Sequence, residues 1–268
     1  MHYVKQISSA QNALVKRIGL LMEKSRERKK TGLFVLEGLR ELQLALKGGF
    51  KLETVLFQPE LITERETSKL LEQCEALELV SVSREVYRKL AYRETTEGLI
   101  AVARSKTNTL DTFELDSKNP LILVAEAPEK PGNIGALLRT ADAANLDGVI
   151  IANPKTDLYN PNIIRSSVGC VFTTNIATGS TDEIIAFLKS KKVSIFCAAL
   201  SASIKYTDAD FSGPSALVVG TESTGLSDEW LRQSHQNVII PMQGEIDSMN
   251  VSVSAAIIIF EAKRQRGF

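Results

Sequence analysis

The sequence predicts an α/β protein of two domains, and three observations carry that expectation. Short apolar runs alternate with amphipathic stretches along the whole chain, the pattern of strands and helices layered on one another. A polar, loop-prone segment, Ser105-Lys-Thr-Asn-Thr through Ser117-Lys-Asn-Pro120, interrupts that alternation once. Three loops that follow apolar runs also concentrate Gly with polar residues: Glu129 to Thr140, Gly220 to Leu226, and Pro241 to Asn250.

In the first domain, residues 1–105, Ser8 and Ser9 are the caps expected for a helix from Ala10 to Lys30. Leu14, Ile18, Leu21 and Met22 give it an apolar stripe at helical spacing. Its end, Lys24-Ser-Arg-Glu-Arg-Lys-Lys30, carries five cations against one acid and is closed by Thr31-Gly32. A solvated helix end complementing the dipole is the plain reading of such a run, and a phosphate-binding patch the alternative. Leu33 to Glu37, Leu52 to Phe57, Leu77 to Val82 and Gly98 to Ala103 read as strands. Gly38 to Lys47, Thr63 to Ala76 and the segment from Ser83 to Leu90 read as helices.

After a linker at 106–119, the second domain, 120–268, opens on the strand Leu121 to Ala125. Gly132 and Gly135 flank Asn133, and a helix beginning after Asn133 carries Arg139. Gly148 to Ile151, Val193 to Leu200, Ala216 to Gly220 and Asn237 to Ile240 read as strands. Asn160-Pro161 starts a helix through Arg165, with Pro at a favoured first position. Asp182 to Lys192, Asp228 to Ser234 and a strongly apolar segment from near Asn250 to the basic end at Lys263, Arg264 and Arg266 read as helices. Alternation of this kind predicts a parallel sheet with its ligand loops at the strand C-termini.

Bulk properties bound the function. At 268 residues, with 44% hydrophobic and 24% charged content, real cores are expected. The run Val251 to Phe260 is too short and too interrupted by serines to span a bilayer, and the N-terminus lacks an apolar signal core. Cys74, Cys170 and Cys197 are unclustered, and His2 and His235 fit no motif, so no metal site is expected and a reduced, cytoplasmic protein is. The formal net charge is zero, yet residues 1–106 carry 19 Lys and Arg against 14 Asp and Glu, and the remainder 13 against 18. That asymmetry suits a first half that meets a polyanion.

Three blocks resemble the motifs of the SpoU (TrmH-like) branch of the SPOUT RNA methyltransferases, in the family's order. They are Pro131-Gly-Asn-Ile-Gly-Ala-Leu-Leu-Arg-Thr-Ala141, Val219-Gly-Thr-Glu-Ser-Thr-Gly-Leu226, and Ile240-Pro-Met through Ser248-Met-Asn-Val-Ser-Val253. The segment Gly32 to Gly38, after a basic helix, is similar to the L30e-like substrate-binding domain that precedes many such enzymes. The resemblance implies a C-terminal SPOUT domain with a deep trefoil knot, a homodimer formed through it, and 2′-O-methylation of a ribose with S-adenosylmethionine as methyl donor. It implies a structured RNA substrate, ribosomal RNA before transfer RNA, with Lys24, Arg26, Arg28, Lys29 and Lys30 on its phosphates.

Carried onto this chain, the resemblance places cofactor contacts at Leu200, Gly220, Ile240 and Met249. Asn133 is expected to orient the ribose. Arg139 is expected to clamp a phosphate and stabilise a developing alkoxide, because a guanidinium stays protonated far above neutral pH. Glu222 buttresses the loops or orients Asn133. Ser248 caps the last helix, serves the site, or does both, and Asn250 has a costly amide to satisfy at the helix start. The chain departs from the family pattern at Glu129-Lys-Pro, where many members have Asp-Pro, and at Asn145, where many have Gly. Two other functions compete: an RNA-binding assembly factor that has lost catalysis, against which the set Asn133, Arg139, Glu222 and Asn250 argues, and a Rossmann-type NAD enzyme, against which the absence of a Gly-x-Gly-x-x-Gly after the first strand argues.

Overall fold

The computed structural model describes residues 5–72, 78–92, 97–201, 203–221 and 224–268. Contacts divide the chain into two units, Met1–Lys106 with Asp157–Thr173, and Thr107–Thr156 with Thr174–Phe268.

In the first unit, β1 (Lys5–Ile7), β2 (Leu33–Glu37), β3 (Leu52–Phe57), β4 (Glu78–Val82) and β5 (Leu99–Arg104) form one sheet in the order β1-β4-β3-β5-β2. β1, β4 and β3 are parallel, and β5 runs antiparallel to both β3 and β2. Helices α1 (Ala13–Glu23), α2 (Ser25–Thr31), α3 (Leu39–Lys47), α4 (Glu64–Leu70) and α5 (Arg84–Leu90) surround it. Ser83 caps α5 as expected, and Thr63 with Glu66 forms a capping box on α4. The rest of the helix expected after Leu70, like Cys74, falls largely on residues outside those described.

The expected helix from Ala10 to Lys30 is two helices. Asn12, not Ser8 or Ser9, caps α1, accepting from the Leu14 N–H at 2.9 Å. At Lys24 the backbone is extended, and α2 restarts from there. The break lets Arg28 fold back: its Nη1 donates to the carbonyls of Leu21 (2.7 Å) and Met22 (3.1 Å), which lack partners within α1. Its Nε and Nη2 grip both oxygens of Asp157 at 2.9 and 2.8 Å. The side chain is only 4% exposed. Arg28 is therefore a structural residue and not part of a phosphate-binding patch, whereas Lys24, Arg26, Lys29 and Lys30 stay exposed.

The segment Asp157–Thr173, which includes α7 (Pro161–Ser166) capped by Asn160, belongs by its contacts to this first unit. It inserts Tyr159 flat against Phe34, ring centroids 4.5 Å apart, and Phe172 edge-on against Phe50 at 5.1 Å.

The second unit holds a seven-stranded sheet in which every pair is parallel. Its strands are β6 (Leu121–Glu126), β7 (Gly148–Ala152), β8 (Ile176–Gly179), β9 (Ser194–Ala198), β10 (Ser203–Lys205), β11 (Ser215–Val219) and β12 (Gln236–Ile239), in the order β10-β12-β9-β11-β6-β7-β8. Helices α6 (Pro131–Ala143), α8 (Thr181–Ser190), α9 (Asp228–Gln233) and α10 (Val251–Gln265) complete it. The central strands are buried over their length, and Trp230 and Phe113 fill the same core. Residues just after Lys106 are docked, since the Asn108 carbonyl accepts from both the N–H and the hydroxyl of Thr178 on β8. Asn145, after α6, takes φ +48°, a left-handed conformation that Gly adopts freely and Asn tolerates. That conformation explains why the two residue types exchange there.

Among the described residues, no helix is long and apolar enough to cross a membrane. Strands β1, β8 and β10 escaped the sequence reading, and each is short and lies at a sheet edge. An edge strand buries less apolar surface and so writes a weaker alternation.

Burial alone raises the Asp157 carboxyl, but hydrogen bonds from Arg28 and Ser25 and the Arg28 charge outweigh it and hold it below the ordinary aspartate range. A depressed carboxyl contributes stability that is complete above its unfolded pKa and lost as pH falls through the folded one. The contribution of Asp157 to urea-unfolding stability, read as wild type minus Asp157→Asn, should therefore be constant from neutral pH to about pH 5 and be lost below about pH 4. Asp157→Asn should lower stability at pH 7 by about 3 kcal/mol and flatten part of that acid slope.

Candidate active site

Parallel strands end together, so the loops leaving β9, β11 and β12 emerge side by side. They enclose a cleft of about 870 Å³ together with the start of α10. Ala198, Val219, Leu226, Val238 and Ile258 give it apolar walls, and Ser201, Thr221, Ser248 and Asn250 give polar points. That size and mixture fit a small-molecule site, for which roughly 300–1,000 Å³ is usual. All four positions expected to hold the cofactor, Leu200, Gly220, Ile240 and Met249, line this one cleft.

Gly220 has a reason beyond close approach to a ligand. The loop after β11 closes on itself through reciprocal Thr221 and Gly225 backbone bonds of 3.1 Å. A Cβ on Gly220 would lie 2.3 Å from the Gly225 carbonyl carbon and 2.5 Å from the Leu226 nitrogen, where no atom fits. Thr221 and Thr224 share a hydroxyl contact of 2.8 Å across the same turn. Both Thr residues line the cleft and were passed over in the sequence, although they sit inside the second block.

Asn250 caps α10: its Oδ1 accepts from the N–H and hydroxyl of Ser252 at 2.9 and 2.6 Å. Its Nδ2 then donates to Asn133 Oδ1 at 3.2 Å, joining the third block to the first. Helix α6 starts at Pro131 rather than after Asn133, so Asn133 stands in its first turn, opposite the first turn of α10. Ser248 does not cap α10; its hydroxyl contacts Asp247 Oδ1 at 3.2 Å at the cleft rim.

Other expected residues are not gathered here. Arg139 is exposed on α6 and absent from the cleft lining. It lies six positions beyond Asn133, about 9 Å along the axis and about 120° around it. Glu222 lies outside the described residues. The exposed cations Lys24, Arg26, Lys29 and Lys30 belong to the first unit.

Cys197 precedes cleft-lining Ala198 but is no nucleophile. Burial, with a smaller push from the Glu126 carboxylate and despite a hydrogen bond from Ser234, raises its thiol to about 12. Among the described residues, no cluster of His, Cys, Asp and Glu could hold a metal ion.

Comparison with known proteins agrees with this geometry. Residues 120–260 match the SpoU rRNA Methylase family, and residues 12–101 match the MRM3-like substrate binding domain. The chain belongs to the SpoU rRNA methylase family. Among its relatives, the 23S rRNA (guanosine(2553)-2'-O)-methyltransferase of Bacillus subtilis is 29% identical over 97% of this chain and 100% of its own length. A crystal structure of an RNA 2'-O ribose methyltransferase superposes with TM-score 0.84 at 38% identity, covering 98% of this chain and 100% of that one. An AdoMet-bound rRNA methyltransferase from Sinorhizobium meliloti gives 0.89 at 27% identity, with 97% and 98% covered. As a SpoU methylase this chain uses S-adenosylmethionine, and the cleft has the size, apolar walls and converging backbone loops to take it.

The steric closure at Gly220 makes a sharp expectation. Gly220→Ala should keep the fold, by circular dichroism, yet bind S-adenosylmethionine at least about tenfold more weakly by calorimetry, because the loop must open to admit the methyl group.

Proposed function

We propose that the chain methylates a ribose 2′-hydroxyl of a structured ribosomal RNA, acting in the cytoplasm as a homodimer whose C-terminal domain carries a deep trefoil knot. The observation that carries this reading is the Asn133–Asn250 bond at the rim of the cleft, which couples the polar ends of two motifs beside a site sized for the methyl donor. When bound, S-adenosylmethionine supplies an activated methyl group on a sulfonium.

What remains for the protein is alignment and charge. Leu200, Gly220, Ile240 and Met249 hold the adenosine end through the loops that carry them. The Asn133 and Asn250 amides present donors and acceptors to the ribose and cannot themselves take its proton. Ser248 adds a hydroxyl at the rim. Arg139 is exposed and does not line the cleft of its own chain, so we assign it to the partner's site, where a guanidinium clamps the RNA phosphate and stabilises the forming alkoxide. The first unit, 1–106 with 157–173, grips RNA with Lys24, Arg26, Lys29 and Lys30, and the second carries the chemistry.

The deciding experiment is transfer of tritiated methyl from S-adenosylmethionine to unmodified ribosomal RNA and to bulk transfer RNA. Alkali-stable label at one position of ribosomal RNA is the expected result, and label in transfer RNA alone would move the substrate class. Binding of the methyl donor without label in free RNA or assembled ribosomal particles would favour an assembly factor.

Arg139→Ala should lose about 10²–10³-fold in kcat while retaining S-adenosylmethionine affinity. Mixed with Asn133→Ala after subunit exchange, it should recover about a quarter of wild-type activity, because half the dimers then hold one complete site. No recovery would place Arg139 in its own chain's site.

A further inference from the structure

Glu126 ends β6 and entered none of the motifs, yet it is only 6% exposed. Its carboxylate accepts three hydrogen bonds: from the Ser227 N–H at 2.8 Å, the Ser227 hydroxyl at 2.8 Å and the Thr181 hydroxyl at 3.2 Å. A buried carboxylate is costly without such donors, so this arrangement is specific.

Its place relative to the cleft follows from the ladder. Val219 pairs with Ala125, so Glu126 stands one position past the last pair, where Gly220 opens the loop on β11. Ser227 directly follows Leu226, where that loop ends and still lines the cleft. The pairing of β6 with β11 thus fixes the loop's first end, and Glu126 fixes its second. Ser227 also occupies the cap position of α9, but its side chain makes no capping bond there. A serine at that position ordinarily bonds its own helix. Here the hydroxyl is given to a residue 101 positions away.

We propose that Glu126 is a positioning residue for the methyl donor: it pins the outgoing end of the Gly220–Leu226 loop to β6 and so holds Thr221, Thr224 and Leu226 as one wall of the cleft. Glu126 itself is not among the lining residues. The inference rests on reading that cleft as the S-adenosylmethionine site.

The test compares wild type, Glu126→Gln and Ser227→Ala by calorimetric titration with S-adenosylmethionine, by KM for each substrate, and by Tm. Gln turns an amide N–H toward a donor, whereas Ser227→Ala removes one bond and keeps the backbone one. Glu126→Gln should weaken S-adenosylmethionine binding and raise its KM about 10–100-fold, with the KM for RNA unchanged. Ser227→Ala should follow in the same direction by a smaller factor.

Unchanged donor affinity in folded Glu126→Gln overturns the proposal. So does activity that falls only with the folded fraction while both KM values hold. If Glu126→Gln does not fold, Ser227→Ala decides alone: weaker donor binding supports the proposal and wild-type binding overturns it. A wild type that does not bind S-adenosylmethionine removes the cofactor reading, and this proposal with it, before any variant is compared.

Discussion

The cleft depends on the parallel pairing of β11 between β9 and β6. Five consecutive register pairs from Ser215↔Leu121 to Val219↔Ala125 bring the ends of β6 and β11 level. Ser215↔Ser194 through Val218↔Cys197 do the same with β9. Because side chains alternate, a slip by one residue would exchange the two faces of β11, and both are buried in close packing, so every side chain would meet a space shaped for its neighbour. Register fixed by burial therefore decides where Gly220 stands, and the closed turn from Thr221 to Gly225 follows from it. The chemistry at the strand ends inherits its precision from apolar packing in the middle.

Much of this was written plainly in the sequence. Central strands such as Leu121–Glu126 and Ser215–Val219 are buried on both faces and read as unbroken apolar runs. The four positions that the family resemblance implies for the cofactor line one cleft, because loops leaving parallel strands open at the same end of the sheet. The edge strands β1, β8 and β10 were silent for the converse reason, being short and partly exposed, whereas the buried edge strand β2 was legible. Arg28 shows a different limit. Nothing in Lys24-Ser-Arg-Glu-Arg-Lys-Lys30 separates it from its four cationic neighbours, because its partner Asp157 is 129 positions away.

Asn250 and Ser248 illustrate how a helix start resolves a choice that composition leaves open. Both residue types cap well. The backbone of Asn250 is extended at φ −52°, ψ 135°, and α10 begins at the next residue, so only Asn250 can accept from Ser252. An amide has a donor left after capping, and a serine hydroxyl that accepts twice has less to offer a second partner. Asn250 can therefore hold its own helix and reach Asn133 at once. The helix start and the site share one side chain.

The same economy distinguishes the half-buried Asp157 from the buried Glu126. Asp157 answers a full cation, and the pair joins a returning segment to α2 and the end of α1. Glu126 answers only neutral donors, two of them on Ser227. Removing either partner of a buried ion pair leaves an uncompensated charge, so Arg28 and Asp157 are expected to answer in stability. Neutral donors freed from Glu126 are easier to satisfy with water, the more so because Ser227 is exposed. The cost of disturbing Glu126 should then appear less in unfolding than in where Ser227, and the loop behind it, comes to rest.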